Sequence, residues 1–288
     1  MLKQLGLFGA GEAAELAPLD AAAARWQVQA GDVWEVPSKR MSGISHRVVC
    51  GDATNADVYA AACAGQIPWM MVTDPPYGVT YDPGWRDTEL HIPMGDALNK
   101  MTGTVANDDR AGWEAAYALF GGDVAYVWHA SSFIAQVQQD LKAVGFDTRS
   151  LIIWVKPNFA ISRGDYHWQH EPCWYAVRKG QPARRNDDRT QSTVWQIAWL
   201  GAVGRSHDEN DAATGHGTQK PLECMQRPIR NHVFPPGTCV YDPFLGSGTT
   251  LIAAEMEGRI CCGCELSPGY VAVVLERAWR AGLKPRRV

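Results

Sequence analysis

Residues 68–82 read PWMMVTDPPYGVTYD. A mostly apolar run ends there in one acid, Asp74, and Pro75, Pro76 and Tyr77 follow it directly. The apolar run predicts a buried strand. Packing alone does not require an acid, a proline-stiffened turn and an aromatic ring where a strand ends. The segment therefore predicts a functional site at the carboxyl end of a strand.

Short apolar runs alternate with amphipathic stretches from His46 onward, which is typical of an α/β fold. The amphipathic stretches predict helices near 113–120, 131–144, 220–233, 249–257 and 268–281. The polar stretches 78–112 and 179–217 predict loops or inserted elements. The apolar runs predict strands at HRVVC (46–50), PWMMVT (68–73), VAYVWH (124–129), SLIIWV (150–155), CWYAV (173–177), TCVY (238–241) and RICCGC (259–264).

Four of the predicted strands run into an acid, namely Asp52, Asp74, Asp242 and Glu265. The carboxyl ends of parallel strands lie along one edge of a sheet, and open α/β sheets bind ligands at that edge. Each acid alone could be a helix N-cap. All four together predict a ligand site, since like charges at one edge repel each other and no obvious cation pairs with them.

The segment DPFLGSGTTLIAAE (242–255) follows a predicted strand and opens a predicted helix. Gly246 and Gly248 would let the backbone approach a ligand, and the two threonines after them are expected to cap the helix. A phosphate-binding loop would need a Gly-Lys-Ser/Thr, and this loop has no lysine. Asp242 at its start suits a positively charged amino group instead. Glu265, about 20 residues further on, is placed for ribose hydroxyls.

A ligand with a ribose and a cationic amino-acid end fits S-adenosylmethionine and does not fit NAD. The composition supports a folded protein, with 288 residues of which 46% are hydrophobic. No apolar run is long enough for a membrane span, and eight cysteines without a secretory spacing predict reduced thiols in a cytoplasmic protein,. The net charge of −4 argues against nucleic-acid binding over the whole surface,. Local basic patches at 178–189 or 277–288 are compatible with DNA, or with an ordinary solvated face.

Asp74-Pro75-Pro76-Tyr77, followed by HGTQKP (216–221) and then DPFLGSGTT, resembles the β class of DNA amino-methyltransferases over about residues 46–280. The resemblance rests on the order of these motifs as much as on each motif. It implies a circularly permuted, Rossmann-like S-adenosylmethionine-dependent methyltransferase fold. Such a fold has a seven-stranded, mostly parallel sheet with helices on both faces and an antiparallel strand in its last hairpin.

The resemblance also implies roles for single residues. Asp74, Pro75, Pro76 and Tyr77 would be catalytic, with Tyr77 stacking on a flipped base. Glu265 would bind the cofactor ribose, Asp52 and Phe244 would contact its adenine, and Lys220 would pair with its methionine carboxylate. The full set of expected cofactor-binding residues is Asp52, Asp74, Lys220, Asp242, Phe244, Gly246, Ser247, Gly248, Thr249 and Glu265.

The same reading divides the chain into an N-terminal extension (1–45), a catalytic half (46–178), a target-recognition insert (179–215) and a cofactor-binding half (216–288). Arg184, Arg185 and Arg189 in the insert are expected to contact double-stranded DNA. Residues 78–112 are expected to form a second loop near the flipped base. No membrane partner is expected, a homodimer stays open, and the enzyme could be phage-encoded, orphan or partnered with a restriction enzyme.

Adenine N6 is the expected target, because cytosine-N4 members of the family more often carry serine in place of Asp74. Methylation of cytosine N4 is the first alternative, and methylation of RNA, protein or a small molecule is a more distant one. Cys173 lies in HEPCW (170–174), which resembles the Pro-Cys pair of cytosine carbon-5 methyltransferases only superficially. A buried structural cysteine is expected there. No metal site is expected, because Cys261, Cys262 and Cys264 lie within a strand and lack the paired spacing of a zinc site.

Overall fold

A computed structural model of the chain describes residues 19–78, 111–160, 165–198, 219–234 and 238–288. Most of the predicted loop at 78–112 and residues 199–215 of the predicted recognition insert lie outside this part. The described strands are β1 (Val33–Pro37), β2 (Ser45–Cys50), β3 (Met70–Thr73), β4 (Val124–Trp128), β5 (Phe146–Ala160), β6 (Trp168–Arg178), β7 (Val194–Gln196), β8 (Cys239–Asp242), β9 (Ile260–Glu265) and β10 (Arg286–Arg287).

These strands form one sheet in the order β10-β1-β2-β9-β8-β3-β4-β6-β5-β7. Strands β2, β9, β8, β3 and β4 are parallel to one another, and β6 runs antiparallel between β4 and β5. These are the seven strands that the apolar runs predict, so the mostly parallel sheet with an antiparallel hairpin strand is confirmed. Strands β1, β7 and β10 extend the sheet at its edges. The sequence did not predict them because they are short and only partly buried, without apolar runs.

The sheet interleaves the two ends of the sequence. Strands β8 and β9 come from the last part of the chain but lie between β2 and β3, which come from the first part. This is the circularly permuted arrangement that was expected. Its consequence is that the strand leading to Asp74 pairs directly with the strand leading to the glycine loop, through Met70↔Val240 and Met71↔Tyr241.

Helices cover both faces of the sheet, as expected. Their bounds are α1 (Leu19–Trp26), α2 (Ala56–Cys63), α3 (Glu114–Leu119), α4 (Ile134–Ala143), α5 (Leu222–Arg230), α6 (Thr249–Met256) and α7 (Pro268–Arg280). Buried side chains of α5, α6 and α7 join the apolar core on one face, and those of α2, α3 and α4 join the core on the other. All five predicted helices are confirmed, whereas α1 and α2 were not predicted. In the part of the chain that the structure describes, no helix combines the length and the apolar character needed to cross a bilayer.

The turn between β1 and β2 is fixed by one buried acid, Glu255 of α6. Its carboxylate accepts hydrogen bonds from Ser38 Oγ at 2.6 Å, from the Lys39 backbone N–H at 2.9 Å and from the Arg40 backbone N–H at 3.2 Å. The buried His46 Nε2 lies 2.9 Å from the same carboxylate. Residues that the sequence assigned to an N-terminal extension are therefore tied to the sheet and to α6. The boundary at residue 46 stays a prediction.

We expect Glu255→Ala to lower the free energy of unfolding by at least about 1–3 kcal/mol, because Ser38, the Lys39 N–H and His46 would lose a charged acceptor in a buried place,. Urea unfolding followed by circular dichroism measures this change. Glu114→Ala, which removes an exposed acid of α3, is the control, with an expected change within about 0.5 kcal/mol,. Equal losses for the two variants would contradict the anchoring role.

Candidate active site

The four acids predicted at one sheet edge do lie at the carboxyl ends of neighbouring parallel strands. Asp52 follows β2, Glu265 ends β9, Asp242 ends β8 and Asp74 follows β3. Their environments differ: Asp52 is exposed, Asp74 and Glu265 are half-buried, and Asp242 is fully buried. The edge therefore carries acids with three degrees of burial, and the contacts of each acid indicate what it can bind.

Asp74 is the centre of a compact ionic cluster. Lys220 Nζ lies 2.8 Å from Asp74 Oδ1 and donates to Asp74 Oδ2 at 2.9 Å. The Tyr77 hydroxyl donates to Asp74 Oδ1 at 2.8 Å and accepts from Lys220 Nζ at 2.8 Å. Glu171, from the antiparallel strand β6, lies 2.8 Å from Lys220 Nζ through Oε2 and pairs with Lys156 through Oε1. Ammonium and carboxylate groups therefore alternate in the order Lys156, Glu171, Lys220 and Asp74, and the Tyr77 hydroxyl contacts the last three.

The pKa values of the two acids in the cluster are shifted in opposite directions. Burial raises the pKa of Asp74 despite the opposing attraction of Lys220. Burial alone would also raise the pKa of Glu171, but Lys220 and Lys156 outweigh it and hold that pKa at about 2. Burial would lower the pKa of Lys220, yet the two carboxylates raise it. Glu171 is thus firmly ionised and keeps the Lys220 ammonium charged beside Asp74.

Glu171 also gives the partners of Asp74 a second acceptor. Lys220 Nζ is 2.8 Å from both Glu171 Oε2 and Asp74 Oδ1, and the Tyr77 hydroxyl lies 3.2 Å from Glu171 Oε2. A ligand group that hydrogen-bonds to the Asp74 oxygens can therefore displace Lys220 and Tyr77, because both of these donors keep Glu171 as an acceptor. The sequence did not single out Glu171. Its signal is weak, because it is one acid within a strand on the far side of β4 from Asp74.

Trp113 joins the Asp74 turn to the glycine loop. Its indole N–H donates to the Pro76 carbonyl at 3.0 Å, and its ring packs edge-on against Phe244, with centroids 4.6 Å apart. The indole is buried, whereas Phe244 is half-buried. Phe244 thus lies beside the turn that follows Asp74, and its contact with a cofactor stays a prediction. Trp113 was missed because it precedes a short helix and lies in no motif.

The glycine loop between β8 and α6 requires its glycines. Gly246 and Gly248 have φ values of 52° and 84°. A Cβ at Gly248 would come 2.9 Å from the side chain of Val274. The expectation that the threonines cap α6 is wrong. Gly248 is the N-cap and has no side-chain cap, while the Thr250 hydroxyl donates to Asp242 Oδ2 at 2.6 Å.

Several residues assigned to the cofactor face inward. Asp242 Oδ1 accepts from Thr73 Oγ1 at 2.7 Å and from the Phe244 N–H at 3.1 Å. The Ser247 carbonyl accepts from Arg277 Nη1 at 2.8 Å, and the same nitrogen lies 3.2 Å from Thr249 Oγ1. These contacts hold the glycine loop from the side of the protein core. Cofactor contact by Asp242, Ser247 and Thr249 stays a prediction, and the described contacts do not favour it for their side chains.

Glu265 and Asp52 are better exposed to a ligand. The Glu265 carboxylate accepts from the Gly246 N–H at 2.9 Å and from the Ser267 N–H at 2.8 Å, which holds it against the glycine loop. Burial raises the pKa of Glu265 to about 7. Asp52 Oδ1 accepts from both the backbone and the hydroxyl of Thr54 at 2.8 Å, so the exposed carboxylate is fixed in orientation.

The structure gives Lys220 partners other than the one implied by the resemblance, since it pairs with Asp74 and Glu171. The three arginines of the insert are exposed. Arg184 and Arg185 lie beside His232, whose ring is 5.6 Å from Trp69 at the amino end of β3. Two of the three thus lie toward the sheet edge opposite Asp74. Their DNA contact stays a prediction.

Cys173 is fully buried in β6, and burial raises its pKa well above the usual range. The expectation of a structural cysteine is confirmed. All eight cysteines are buried free thiols. Within the described ranges, no group of three His, Cys, Asp or Glu side chains has the arrangement of a metal site.

Comparison with known proteins identifies the family. A family model described as DNA methylase, N6_N4_Mtase, matches residues 69–276. The match covers well over half of the chain, so the chain belongs to this family and is a DNA amino-methyltransferase, as the motifs predicted. It is 26% identical over 225 residues to YubD of Escherichia coli (strain K12), covering 78% of this chain and 86% of that protein. It is also 26% identical over 216 residues to the type II methyltransferase M2.MboI of Moraxella bovis, covering 68% and 75%.

Two solved structures share the fold. The M1.HpyAVI–SAM complex superposes with a TM-score of 0.54 at 22% identity, covering 80% of this chain and 98% of that one. The cytosine-N4-specific PvuII DNA methyltransferase superposes with a TM-score of 0.55 at 16% identity, covering 80% and 85%. At these identities the likeness shows the fold, and the predicted methyltransferase fold is confirmed.

We expect Glu171→Gln to lower kcat for methyl transfer by roughly tenfold to a hundredfold, because a charged acceptor for Lys220 and Tyr77 is lost. Cofactor affinity should change by less than about twofold, since Glu171 lies away from the glycine loop. Steady-state kinetics and calorimetry separate the two quantities. The control is Glu223→Gln, an acid of α5 that pairs with Arg227 and should leave kcat unchanged. A kcat for Glu171→Gln within twofold of the wild type would contradict this role.

Proposed function

We propose that this enzyme transfers a methyl group from S-adenosylmethionine to the exocyclic N6 amine of an adenine flipped out of duplex DNA. One observation carries the proposal: the acid of the Asp-Pro-Pro-Tyr turn and the glycine loop meet at one edge of the sheet. The Thr73–Asp242 hydrogen bond of 2.7 Å and the Trp113 bridge from Pro76 to Phe244 hold them together. A methyl donor in the loop would then adjoin an amine held at Asp74.

The residues beside the glycine loop fit S-adenosylmethionine. Glu265 presents a carboxylate suited to two vicinal ribose hydroxyls, and the loop around Gly246 lets a nucleoside approach the backbone. Phe244 offers an apolar ring for the adenine, with Asp52 as a hydrogen-bond acceptor nearby. When bound, the cofactor supplies an electrophilic methyl group on a sulfonium centre.

The chemistry of the target explains the residues of the turn. An exocyclic amine is a poor nucleophile because its lone pair is delocalised into the ring. Asp74 and the Pro75 carbonyl can each accept one amine hydrogen, which favours a tetrahedral nitrogen with its lone pair directed at the methyl group. Methyl transfer, with the thioether of the donor as leaving group, would leave the amine cationic, so the amine would have to lose one proton. Asp74, whose pKa is raised by burial, is the nearest acceptor for that proton.

Adenine is proposed over cytosine because Asp74 stands where cytosine-N4 members of the family more often carry serine. Both bases present an amine that a carboxylate can bind. The PvuII enzyme, which shares the fold, is named as cytosine-N4-specific. Cytosine N4 is therefore the second candidate, and it needs no change in the fold or in the cofactor site.

Product analysis decides between these two targets. Duplex DNA incubated with the enzyme and S-adenosylmethionine carrying a labelled methyl group should yield labelled N6-methyladenine after digestion to nucleosides. Mass spectrometry measures the label on each nucleoside. Label on cytosine alone would replace adenine N6 by cytosine N4, and no label in DNA would refute the proposed function.

We expect Asp74→Ala to abolish methyl transfer while cofactor binding is retained, because Asp74 acts on the amine. Turnover under a DNA excess and calorimetry with cofactor measure the two properties. The matched control is Asp123→Ala, which removes an acid before β4 and should keep full turnover. Activity of Asp74→Ala within tenfold of the wild type would contradict the assignment.

Cofactor binding should weaken as the pH falls below 7. Burial raises the pKa of Glu265 to about 7, so below that pH the unliganded Glu265 carboxyl holds a proton that it must release to accept both ribose hydroxyls as a carboxylate. For one proton, Kd should rise by up to about tenfold per pH unit below the pKa, and stay constant above it. Calorimetry across this pH range measures the effect. Glu265→Gln should bind more weakly and lose most of the pH dependence, whereas a flat wild-type profile would contradict the role of Glu265.

A further inference from the structure

The hairpin of β5 and β6 extends beyond the catalytic cluster. Because β6 is antiparallel to both β4 and β5, β5 runs in the same direction as β4. The described residues at the end of the hairpin, Phe159 and Tyr166–Trp168, are called the tip here, and they lie at the edge that carries Asp74. Lys156 and Glu171 sit on this hairpin. Trp168 lies three residues from Glu171 toward the tip, which is roughly 10 Å along a strand. The hairpin therefore reaches outward from the place where the target base is handled.

The tip carries large aromatic side chains in solvent. Phe159 is 52% exposed, Tyr166 is 89% exposed and Trp168 is 51% exposed. The Phe159 ring stacks on His167 with centroids 4.8 Å apart, and Trp168 packs edge-on against His170 at 5.6 Å. Because Trp168 is paired with Ala160, the side chains of Trp168 and Phe159 lie on opposite faces of the hairpin, so aromatic rings are exposed on both faces,. Large apolar rings left in solvent are a feature of interaction surfaces.

The aromatic tip is held on a defined arm. Trp168 is paired with Ala160 across the hairpin, and the Gln169 side chain donates to the Lys156 carbonyl at 3.2 Å and to the Pro157 carbonyl at 3.3 Å. These contacts tie the two strands together next to the tip.

We propose that the tip of the β5–β6 hairpin, around Phe159, Tyr166 and Trp168, binds the target DNA by stacking on bases next to the flipped nucleotide. This inference rests on the proposed function. When a nucleotide leaves the duplex, its neighbours expose their faces, and aromatic side chains can stack on them or wedge between them. The tip is continuous with the cluster that would hold the flipped base.

The position of the basic residues supports the tip as a DNA contact. Arg184 and Arg185 lie toward the edge of the sheet opposite Asp74. The tip therefore lies nearer than these two arginines to the residues that would hold the flipped base. A second copy of the chain could also cover exposed aromatic rings, and the experiment below separates that occupant from DNA.

The double variant Phe159→Ala/Trp168→Ala tests the proposal. It should weaken binding of a duplex that the wild type methylates by about tenfold or more, since each base–aromatic stack contributes substantially to affinity. Its affinity for S-adenosylmethionine should stay within twofold of the wild type, which also checks folding. Trp279→Ala is the matched control, because Trp279 is 45% exposed and ends α7 at the opposite edge of the sheet.

Photo-cross-linking of the wild type gives a second readout without substitution. Duplexes carrying 5-iodouracil beside the target nucleotide should cross-link to residues of the tip, as identified by mass spectrometry of the peptides. A double variant with wild-type DNA affinity, or cross-links confined to other segments, would overturn the inference. Loss of self-association in sedimentation with unchanged DNA affinity would also overturn it and would assign the tip to a second copy. Wild-type enzyme that transfers no methyl group to DNA would instead refute the proposed function.

Discussion

A buried hydrogen bond between Thr73 and Asp242, 2.7 Å long, fixes the geometry on which the site depends. Thr73 is the last residue of β3 and Asp242 the last residue of β8, so the bond joins the catalytic strand to the strand of the glycine loop. Asp242 also accepts from the Phe244 N–H and from the Thr250 hydroxyl, which orders the loop and the first turn of α6. One inward-facing carboxylate thus sets the distance between Asp74, the proposed amine site, and the glycine loop, the proposed site of the methyl donor.

The ionic cluster adds the electrostatic part of the account. In the proposed function, the Asp74 oxygens must accept hydrogen bonds from an amine. In the structure, both oxygens already accept from Lys220 or Tyr77. Glu171 resolves this conflict, because it lies within hydrogen-bonding distance of both donors. The site is therefore arranged to exchange partners without leaving a buried charge unpaired, which would be costly.

The sequence predicted the parts of this arrangement that follow from order along the chain. Apolar runs predicted the seven central strands, four of which lead into acids, and parallel pairing then places Asp74 at the same edge as Glu265. Cross-strand neighbours could not be predicted in this way. Glu171 reaches the cluster because β6 inserts between β4 and β5, and the inward direction of Asp242 depends on Thr73 and Thr250. The position of Arg184 relative to Asp74 also depends on the fold, which places it toward the opposite edge, and its DNA contact stays a prediction.

The central claim is that the target amine is held at Asp74 while the methyl donor lies in the glycine loop. A crystal structure of the enzyme with its substrate duplex and S-adenosylhomocysteine tests this most directly. The account predicts the exocyclic nitrogen of a flipped base at about 3 Å from a carboxylate oxygen of Asp74, a hydrogen-bonding distance. It also predicts the ribose hydroxyls of the cofactor product at Glu265. A flipped base whose amine lies away from Asp74, or a cofactor product bound away from Glu265, would contradict it.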